Sequence, residues 1–229
     1  MQALSNLALS KLDIMALLWF LLCWFSYTRH VNTSPKSLVS SMYDWRKRWS
    51  MAMLARENRI MDAQVITGLS NVVTFFCSTS IFITAGLFAS IGSSEQIVKL
   101  INQLSFLQTT NIATVELKLG LLIVIFIYSF FKFGWAIKQH SYSAVVLASV
   151  PPADQTNLER DTPTAMLMGK LSSLGSQHFN DGVRGYYFAL ATLSWFVHPL
   201  VFIGVISWVV IVLHRRDFRS KLLQHLSET

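Results

Sequence analysis

The chain has 229 residues, of which 52% are hydrophobic and only 14% are charged, and its mean hydropathy is +0.44. Soluble domains carry about 25% charged residues, so this composition excludes an ordinary soluble protein and predicts an integral membrane protein. The net charge of +7 does not indicate nucleic-acid binding, because the basic residues crowd the ends of apolar segments and no nucleic-acid-binding motif accompanies them.

Four apolar segments meet the criterion of roughly twenty residues for a membrane-spanning helix. They cover residues 12–27, 66–92, 117–137 and 186–213. The first is predicted to be an uncleaved anchor, because no cleavage site of small residues follows it. Seven basic residues separate it from the second span, against Lys11 alone before it, so we expect the N-terminus outside and the next loop in the cytoplasm. Four crossings then place the C-terminus outside as well.

The segment between the first two spans is predicted to form an amphipathic helix over about residues 35–60. Its apolar stripe consists of Leu38, Met42, Trp45, Trp49 and Met53. Such a helix either lies on the inner leaflet or packs on its own bundle, and the sequence leaves both arrangements open. The polar block that follows, residues 56–64, is expected to continue into the second span as one unbroken helix.

Two further segments outside the spans are predicted to contain helices. Residues 94–108 have one apolar face and a single basic residue, Lys99, which indicates a short helix on the outer face. Residues 141–185 are expected in the cytoplasm, as a mobile loop after Pro151 and a helix that begins at Thr162-Pro163.

The fourth span is expected to begin after a turn and to contain a kink. Asn180-Asp181-Gly182 is a sequence typical of a turn. Residues 186–213 would measure about 42 Å as one helix, which exceeds the hydrocarbon thickness of about 30 Å. Pro199 lacks a backbone N–H and is predicted to kink this helix near its middle.

Under this topology three polar clusters reach the same, cytoplasmic face of the membrane. They lie at the entry of the second span, at the exit of the third and before the fourth. We expect a site formed by Arg56, Glu57, Asn58, Arg59, Asp62, Lys132, Lys138, Gln139, His178, Asn180, Arg184 and Tyr187. Ionisable groups at a lipid boundary are costly and usually partnered, and Asp62 is the carboxylate predicted to meet Lys132 or Arg184.

Two interpretations of this predicted site stay open. In the first, ion pairs fix the inner end of the bundle and have no ligand. In the second, Arg56, Arg59, Lys138 and Arg184 hold an anionic group such as a lipid phosphate, with tyrosines at the level of the headgroups.

The sequence gives little indication of catalysis, and we expect neither a metal nor a cofactor. No nucleophile and base occur at a recognisable spacing. The six histidines are never closer than eleven residues, so there is no local metal-ligand motif. His198 is the only histidine deep in a span, and a haem would need a second axial ligand at the same depth.

A small oligomeric transporter or channel is the alternative function. Transporters tend to contain internal repeats and midplane charges. This chain shows no convincing repeat, and one copy is too small to enclose a path, so transport would require an oligomer.

Three blocks of the chain resemble a known family. They read ARENRIMDAQVITGLSNVVTFFCSTSIFITAGL, ELKLGLLIVIFIYSFFKFGWAIKQHSYS and HFNDGVRGYYFALATLSWFVHPL. Together they are similar to the integral membrane family catalogued as domain of unknown function 599, over about residues 45–219. The resemblance implies a multi-span protein of the bacterial inner membrane and supplies no reaction.

We therefore expect one all-α membrane domain over residues 1–229, a four-helix bundle with additional interfacial amphipathic helices. The predicted role is non-catalytic: binding a lipid headgroup or a membrane partner at a polar site on the inner leaflet. The predicted partners are membrane lipids, anionic ones among them, and a second copy of the chain or another membrane protein.

Overall fold

The computed structural model describes residues 10–103, 110–220 and 223 of the chain. Within them it contains seven α-helices, two short 3-10 helices and no strand. The α-helices are α1 Lys11–Thr33, α2 Leu38–Leu54, α3 Ile60–Ile91, α4 Ser94–Gln103, α5 Ile112–Ser149, α6 Leu158–Leu193 and α7 Pro199–Phe218.

Four helical segments among the described residues are long and apolar enough to cross a membrane. They are Lys11–Leu54, which contains α1, and the helices α3, α5 and α7. The prediction of an all-α membrane protein with four apolar helices is thus confirmed. The chain divides into two compact units. Unit 1 comprises Met1–His30, Thr79–Ser129 and Val183–Arg215, and unit 2 comprises Val31–Ser78, Phe130–Gly182 and Arg216–Thr229.

An aromatic core in unit 1 shows that the predicted fourth span is two helices. The Phe20 ring of α1 lies 6.0 Å from Phe188 of α6 and 5.9 Å from Phe202 of α7. A single helix would separate residues 188 and 202 by about 21 Å. The prediction of one kinked span over residues 186–213 is therefore wrong. The chain instead reverses through the 3-10 helix Ser194–Phe196, and Pro199 begins α7, where its missing N–H has no cost.

Close packing of α5 against α6 defines unit 2 and excludes the predicted turn at residues 180–182. A Cβ atom on Gly182 would lie 2.5 Å from the Phe133 ring, and one on Gly175 would lie 2.7 Å from the His140 ring. The Ser143 hydroxyl donates to the carbonyl of Met168 at 3.1 Å. These glycines serve close helix contact, so Asn180-Asp181-Gly182 continues α6 instead of forming a turn.

The start of α6 lies earlier than the predicted Thr162-Pro163. The Asn157 side chain accepts the N–H of Arg160 at 3.2 Å, and Asp161 accepts the N–H of Asn157 at 2.9 Å, a reciprocal cap at the helix start. The Arg160 guanidinium donates to Asp161 and lowers the pKa of that carboxyl, against an opposing effect of desolvation. The helix therefore starts at Leu158, with Pro163 inside it.

The helix α2 is shorter than predicted and packs on its own chain. It covers Leu38–Leu54, and its last residues, Met53 and Leu54, are buried in a cluster with Met168 of α6. Of the two arrangements left open by the sequence, packing within the chain is the one observed. The expected continuous helix from the polar block into α3 is wrong, because the Asn58 side chain accepts the N–H of Ile60 at 2.8 Å and starts a new helix there.

Two other helix boundaries differ from the predicted ones. The predicted outer-face helix over residues 94–108 corresponds to α4, and its last five residues lie outside the described part of the chain. The third predicted span, residues 117–137, is the central part of α5, which continues to Ser149. The polar residues predicted at the exit of this span are therefore helical.

Candidate functional site

Asp62 is the centre of the polar contacts at the start of α3. Its carboxylate is fully buried and accepts a hydrogen bond from Nε1 of Trp49 at 2.6 Å. The Arg56 guanidinium forms an ion pair with the same carboxylate. The prediction that Asp62 meets Lys132 or Arg184 is wrong, because the turn between α2 and α3 brings Arg56 back over the first turn of α3. These contacts join α2 to α3.

Arg59 binds the end of α5 and is not a free cation. Its terminal nitrogens donate to the carbonyls of Val150 at 2.6 Å and Pro151 at 2.7 Å. Carbonyl groups at a helix C-terminus have no partner within the helix, and a guanidinium satisfies them. Arg56 thus forms an ion pair within the protein, as the ion-pair interpretation of the site requires, whereas Arg59 is bound by neutral carbonyls.

Lys132 pairs with Asp181, which belongs to the polar cluster before the fourth span but was not the carboxylate predicted to meet this lysine. Its ammonium lies 2.8 Å from Asp181 of α6, and the Asn32 side chain donates to the same carboxylate at 3.1 Å. Asp181 is 4% exposed and Lys132 is 26% exposed, so the carboxylate is buried and the lysine is half-buried. Sequence spacing could not find this contact, because the three residues come from three separate helical segments.

Lys138 lies on the exposed side of α5. Its ammonium is 5.1 Å from the Trp135 ring and 5.7 Å from the Tyr142 ring, and both rings are about half exposed. Tryptophan and tyrosine concentrate at membrane interfaces, and a lysine between them is typical of the headgroup level.

Several buried polar atoms of unit 2 have no hydrogen-bond partner among the described residues. They are Gln139 Oε1, His140 Nδ1, Ser172 Oγ, Ser173 Oγ, His178 Nδ1, Arg59 Nε and one oxygen of Asp62. An unpaired buried polar atom costs about 1–3 kcal/mol, and such atoms concentrate where water or a ligand binds. No three His, Cys, Asp or Glu side chains of the described residues lie close enough to hold a metal ion.

The remaining predicted residues lie in both units. Arg184 and Tyr187 belong to unit 1, whereas the other ten predicted residues belong to unit 2. Arg184 is 1% exposed and Tyr187 is 37% exposed. Asn180 lies half-buried on α6.

An open groove of about 590 Å³ lies between the start of α3 and the end of α5 in unit 2. It is lined by Glu57, Asn58, Arg59, Ile60, Ala63, Thr67, Ala144, Leu147, Ala148 and Val150. Three of the predicted site residues form its polar end, and the rest consists of three alanines, three larger apolar side chains and Thr67. The groove therefore offers a polar and an apolar surface to one bound molecule.

Unit 1 contains a polar network that sequence reasoning missed. The indole of Trp195 donates to Asp13 at 2.8 Å, and the ammonium of Lys118 donates to the Trp195 carbonyl at 2.9 Å. Each of the three residues is at most 5% exposed. The acceptor of Lys118 is far from it in the sequence, so only the reversal between α6 and α7 brings the two together.

Comparison with known proteins adds a family and no activity. A family model described as "Protein of unknown function, DUF599" matches residues 15–222, which is most of the chain. Neither the curated proteins nor the solved structures contain a match.

Proposed function

We propose that this chain, which belongs to the family described as protein of unknown function DUF599, is a non-catalytic membrane protein that binds a phospholipid in the groove between α3 and α5. The groove lining carries this proposal. A phospholipid has a charged headgroup and apolar chains, so its site must change from polar to apolar along its length. The groove changes in that way from Glu57 and Asn58 to Ala63, Ala144 and Ala148.

The charges at the polar end fit a phosphate-containing headgroup. The Arg59 guanidinium is held there by two carbonyls and carries no paired carboxylate within the described residues. Those carbonyls are neutral, so they do not cancel the positive charge of Arg59, which also acts on the Asp161 carboxyl. Glu57 adds a negative charge to the same end of the groove, so the pair of charges fits a headgroup that carries both a phosphate and an amine. Of the two arginines at this end, Arg59 is therefore the proposed electrostatic contact for the headgroup. Arg56 is not, because Asp62 neutralises its charge.

The apolar floor of the groove fits an acyl chain. Ala63 and Ala148 are exposed, and with Ala144 they leave room for a chain between two helices. Lys138, with Trp135 and Tyr142, supports lipid contact on another exposed part of α5.

Filling the groove tests this function. In the full-length protein, Ala63→Phe with Ala148→Phe is expected to lower the phospholipid that remains bound after purification by about tenfold, equivalent to 1.4 kcal/mol. Lipid content is measured by mass spectrometry of the intact complex. Val145→Phe is the matched control, since Val145 is 68% exposed on α5 and does not line the groove. Equal lipid content in the double variant and this control would refute the proposal.

The proposed location is the bacterial cytoplasmic membrane, which the chain crosses five times. The support is the reversal between α6 and α7: α6 is antiparallel to α5, so it forms a crossing of its own before α7. The C-terminus then lies inside. Of the nineteen Lys and Arg residues, only Lys11, Lys99 and Lys118 remain toward the outer face, which agrees with the positive-inside rule. The four-crossing alternative leaves the basic C-terminal segment outside.

Thiol labelling distinguishes the two topologies. In intact cells, a membrane-impermeant maleimide is expected to label Ser93→Cys and to leave Ser220→Cys unlabelled until the membrane is permeabilised. The unsubstituted chain, whose Cys23 and Cys77 lie in apolar helices, supplies the background. Labelling of Ser220→Cys in intact cells would contradict five crossings.

One observation favours the alternative, an oligomeric transporter. The Lys132–Asp181 pair is formed by α5 and α6, and ionisable groups within membrane helices often mark an ion path. If this pair lies on an ion path, the wild-type protein is expected to conduct protons or other ions into liposomes made from the lipid that copurifies with it. Asp181→Asn is then expected to abolish that flux. Equal flux through wild-type and variant liposomes would remove this alternative.

A further inference from the structure

A second cavity of unit 2 lies between the turn that joins α1 to α2 and the middle of α6. Its volume is about 360 Å³, and most of the residues that line it are polar. It shares no lining residue with the groove between α3 and α5. Cavities of about 300 to 1,000 Å³ hold small molecules, so this one has room for a small ligand or a single headgroup.

The charge of this cavity is positive. Lys170 of α6 is the only Lys, Arg, Asp or Glu in the lining. It is exposed, and no carboxylate of residues 10–103, 110–220 or 223 pairs with it. Lysine is a common phosphate-binding residue, because its ammonium is a compact charge with three donors.

Hydroxyl and amide groups complete the lining around Lys170. Ser34, Ser40 and Tyr43 supply hydroxyls, and Gln177 supplies an amide. Ser173 lines the cavity, and its Oγ atom is buried with no partner among the described residues. A change of its side-chain rotamer would turn this donor toward a ligand. A ligand with several acceptor oxygens would satisfy these donors at one point.

The start of α2 makes a smaller favourable contribution to anion binding in this cavity. Ser37 is the N-cap of this helix, and Val39 and Ser40 of its first turn line the cavity. The positive end of the helix dipole therefore lies at the cavity wall and favours an anion. The ammonium and the buried hydroxyl of Ser173 carry the argument without it.

We propose that this cavity binds the phosphate group of a phosphorylated ligand, with Lys170 as the charged contact and Ser173 as a hydrogen-bond donor. The phosphate has two sources, the headgroup of a phospholipid with a terminal phosphate and a soluble phosphate compound. The two sites share no lining residue, so each is tested by variants that leave the residues of the other unchanged.

Titration of inorganic phosphate into the full-length purified protein, at constant ionic strength set with chloride, tests the proposal. Calorimetry is expected to show saturable binding to the wild type. Lys170→Gln is expected to weaken it about ten- to hundredfold, the loss of one charged hydrogen bond. Lys170→Arg keeps the charge and is expected to restore most of the affinity. Ser173→Ala is expected to weaken binding by a smaller factor without removing a charge.

Lys47→Gln is the matched control, since Lys47 is an exposed cation of α2 outside the cavity. Nanodiscs that contain dioleoyl phosphatidate identify the source: loss of phosphate binding in them supports the headgroup, and unchanged binding supports a soluble compound. Absence of saturable phosphate binding to the wild type would overturn the proposal. Equal affinity in Lys170→Gln and Lys47→Gln would overturn it as well.

Discussion

The buried polar groups of the two units differ in how completely they are paired. In unit 1, Asp13 accepts the Trp195 indole at 2.8 Å and the Ser10 hydroxyl at 2.7 Å, and Lys118 donates to the Trp195 carbonyl. Buried polar atoms without a partner among the described residues are more numerous in unit 2, where Gln139 and His140 are examples, than in unit 1, where Thr28 and Thr110 have one each.

This difference separates a structural polar network from a candidate binding region. The unit 1 network joins α1 and α5 to the reversal between α6 and α7, and its function is complete within the chain. The unpaired atoms of unit 2 are hydrogen-bond donors and acceptors that no described residue satisfies. They occur in the unit that contains both the groove and the Lys170 cavity. Ligand binding is therefore expected in unit 2.

Removal of the central carboxylate of unit 2 has the largest expected effect. Asp62→Ala leaves the partly exposed Arg56 guanidinium and the Trp49 N–H without their acceptor, and each hydrogen bond to a charged group contributes about 1.5–3 kcal/mol. Unfolding in mixed micelles, followed by tryptophan fluorescence, measures the change. Asp154→Ala, at an exposed position, is the control and is expected within about 0.5 kcal/mol of the wild type. A loss below about 1 kcal/mol for Asp62→Ala would contradict its central position.

Trp195→Phe tests the network of unit 1. The ring is retained but the indole N–H is lost, so one buried oxygen of Asp13 loses its donor at a cost of about 1–3 kcal/mol. The same unfolding measurement applies, with Trp208→Phe as control, because Trp208 is 64% exposed. Equal stability of the two variants would show that the network does not hold the reversal.

Gly182→Ala tests the close contact of α5 with α6. The added methyl group meets the Phe133 ring, which is fully buried between Phe76 and Phe179 and has no room to move, so we expect a loss of about 1–3 kcal/mol. Gly134→Ala, with open space at its Cβ, is expected to gain up to about 1 kcal/mol from helix propensity. The reverse order of the two variants would rule out the packing argument.

The smallest effect concerns two buried serines of unit 2. Ser143→Ala removes a hydroxyl that donates to Met168 and is expected to cost about 1 kcal/mol. Ser172→Ala removes an unpaired buried hydroxyl and is expected to change stability by less than about 0.5 kcal/mol, or to increase it. If both variants lose the same stability, Ser172 has a bound partner and the contrast between the units is smaller than described.

The sequence located the polar block at the start of α3 but not the contacts within it. Arg56, Arg59 and Asp62 were recognised as ionisable groups at a boundary, and all three do bind other groups. Their partners were not predictable, because the contact of Asp62 with Trp49 depends on the turn at residues 55–59 and on the rotation of α2. Asp181 was assigned to a turn, so its side chain was not expected on the helix face that meets Lys132.

The sequence by itself determined the class of the protein and the position of its apolar helices. A membrane-spanning helix is recognised from the apolar content of about twenty consecutive residues, so one short stretch of sequence is enough to predict it. Tertiary structure decided the direction of the chain after Leu193, the partner of each buried charge and the lining of both cavities. A hydropathy profile contains no direction, so residues 186–213 gave the same signal for one kinked helix as for two helices joined by a reversal. Only the contact of Phe188 and Phe202 with the same phenylalanine, Phe20, distinguishes the two.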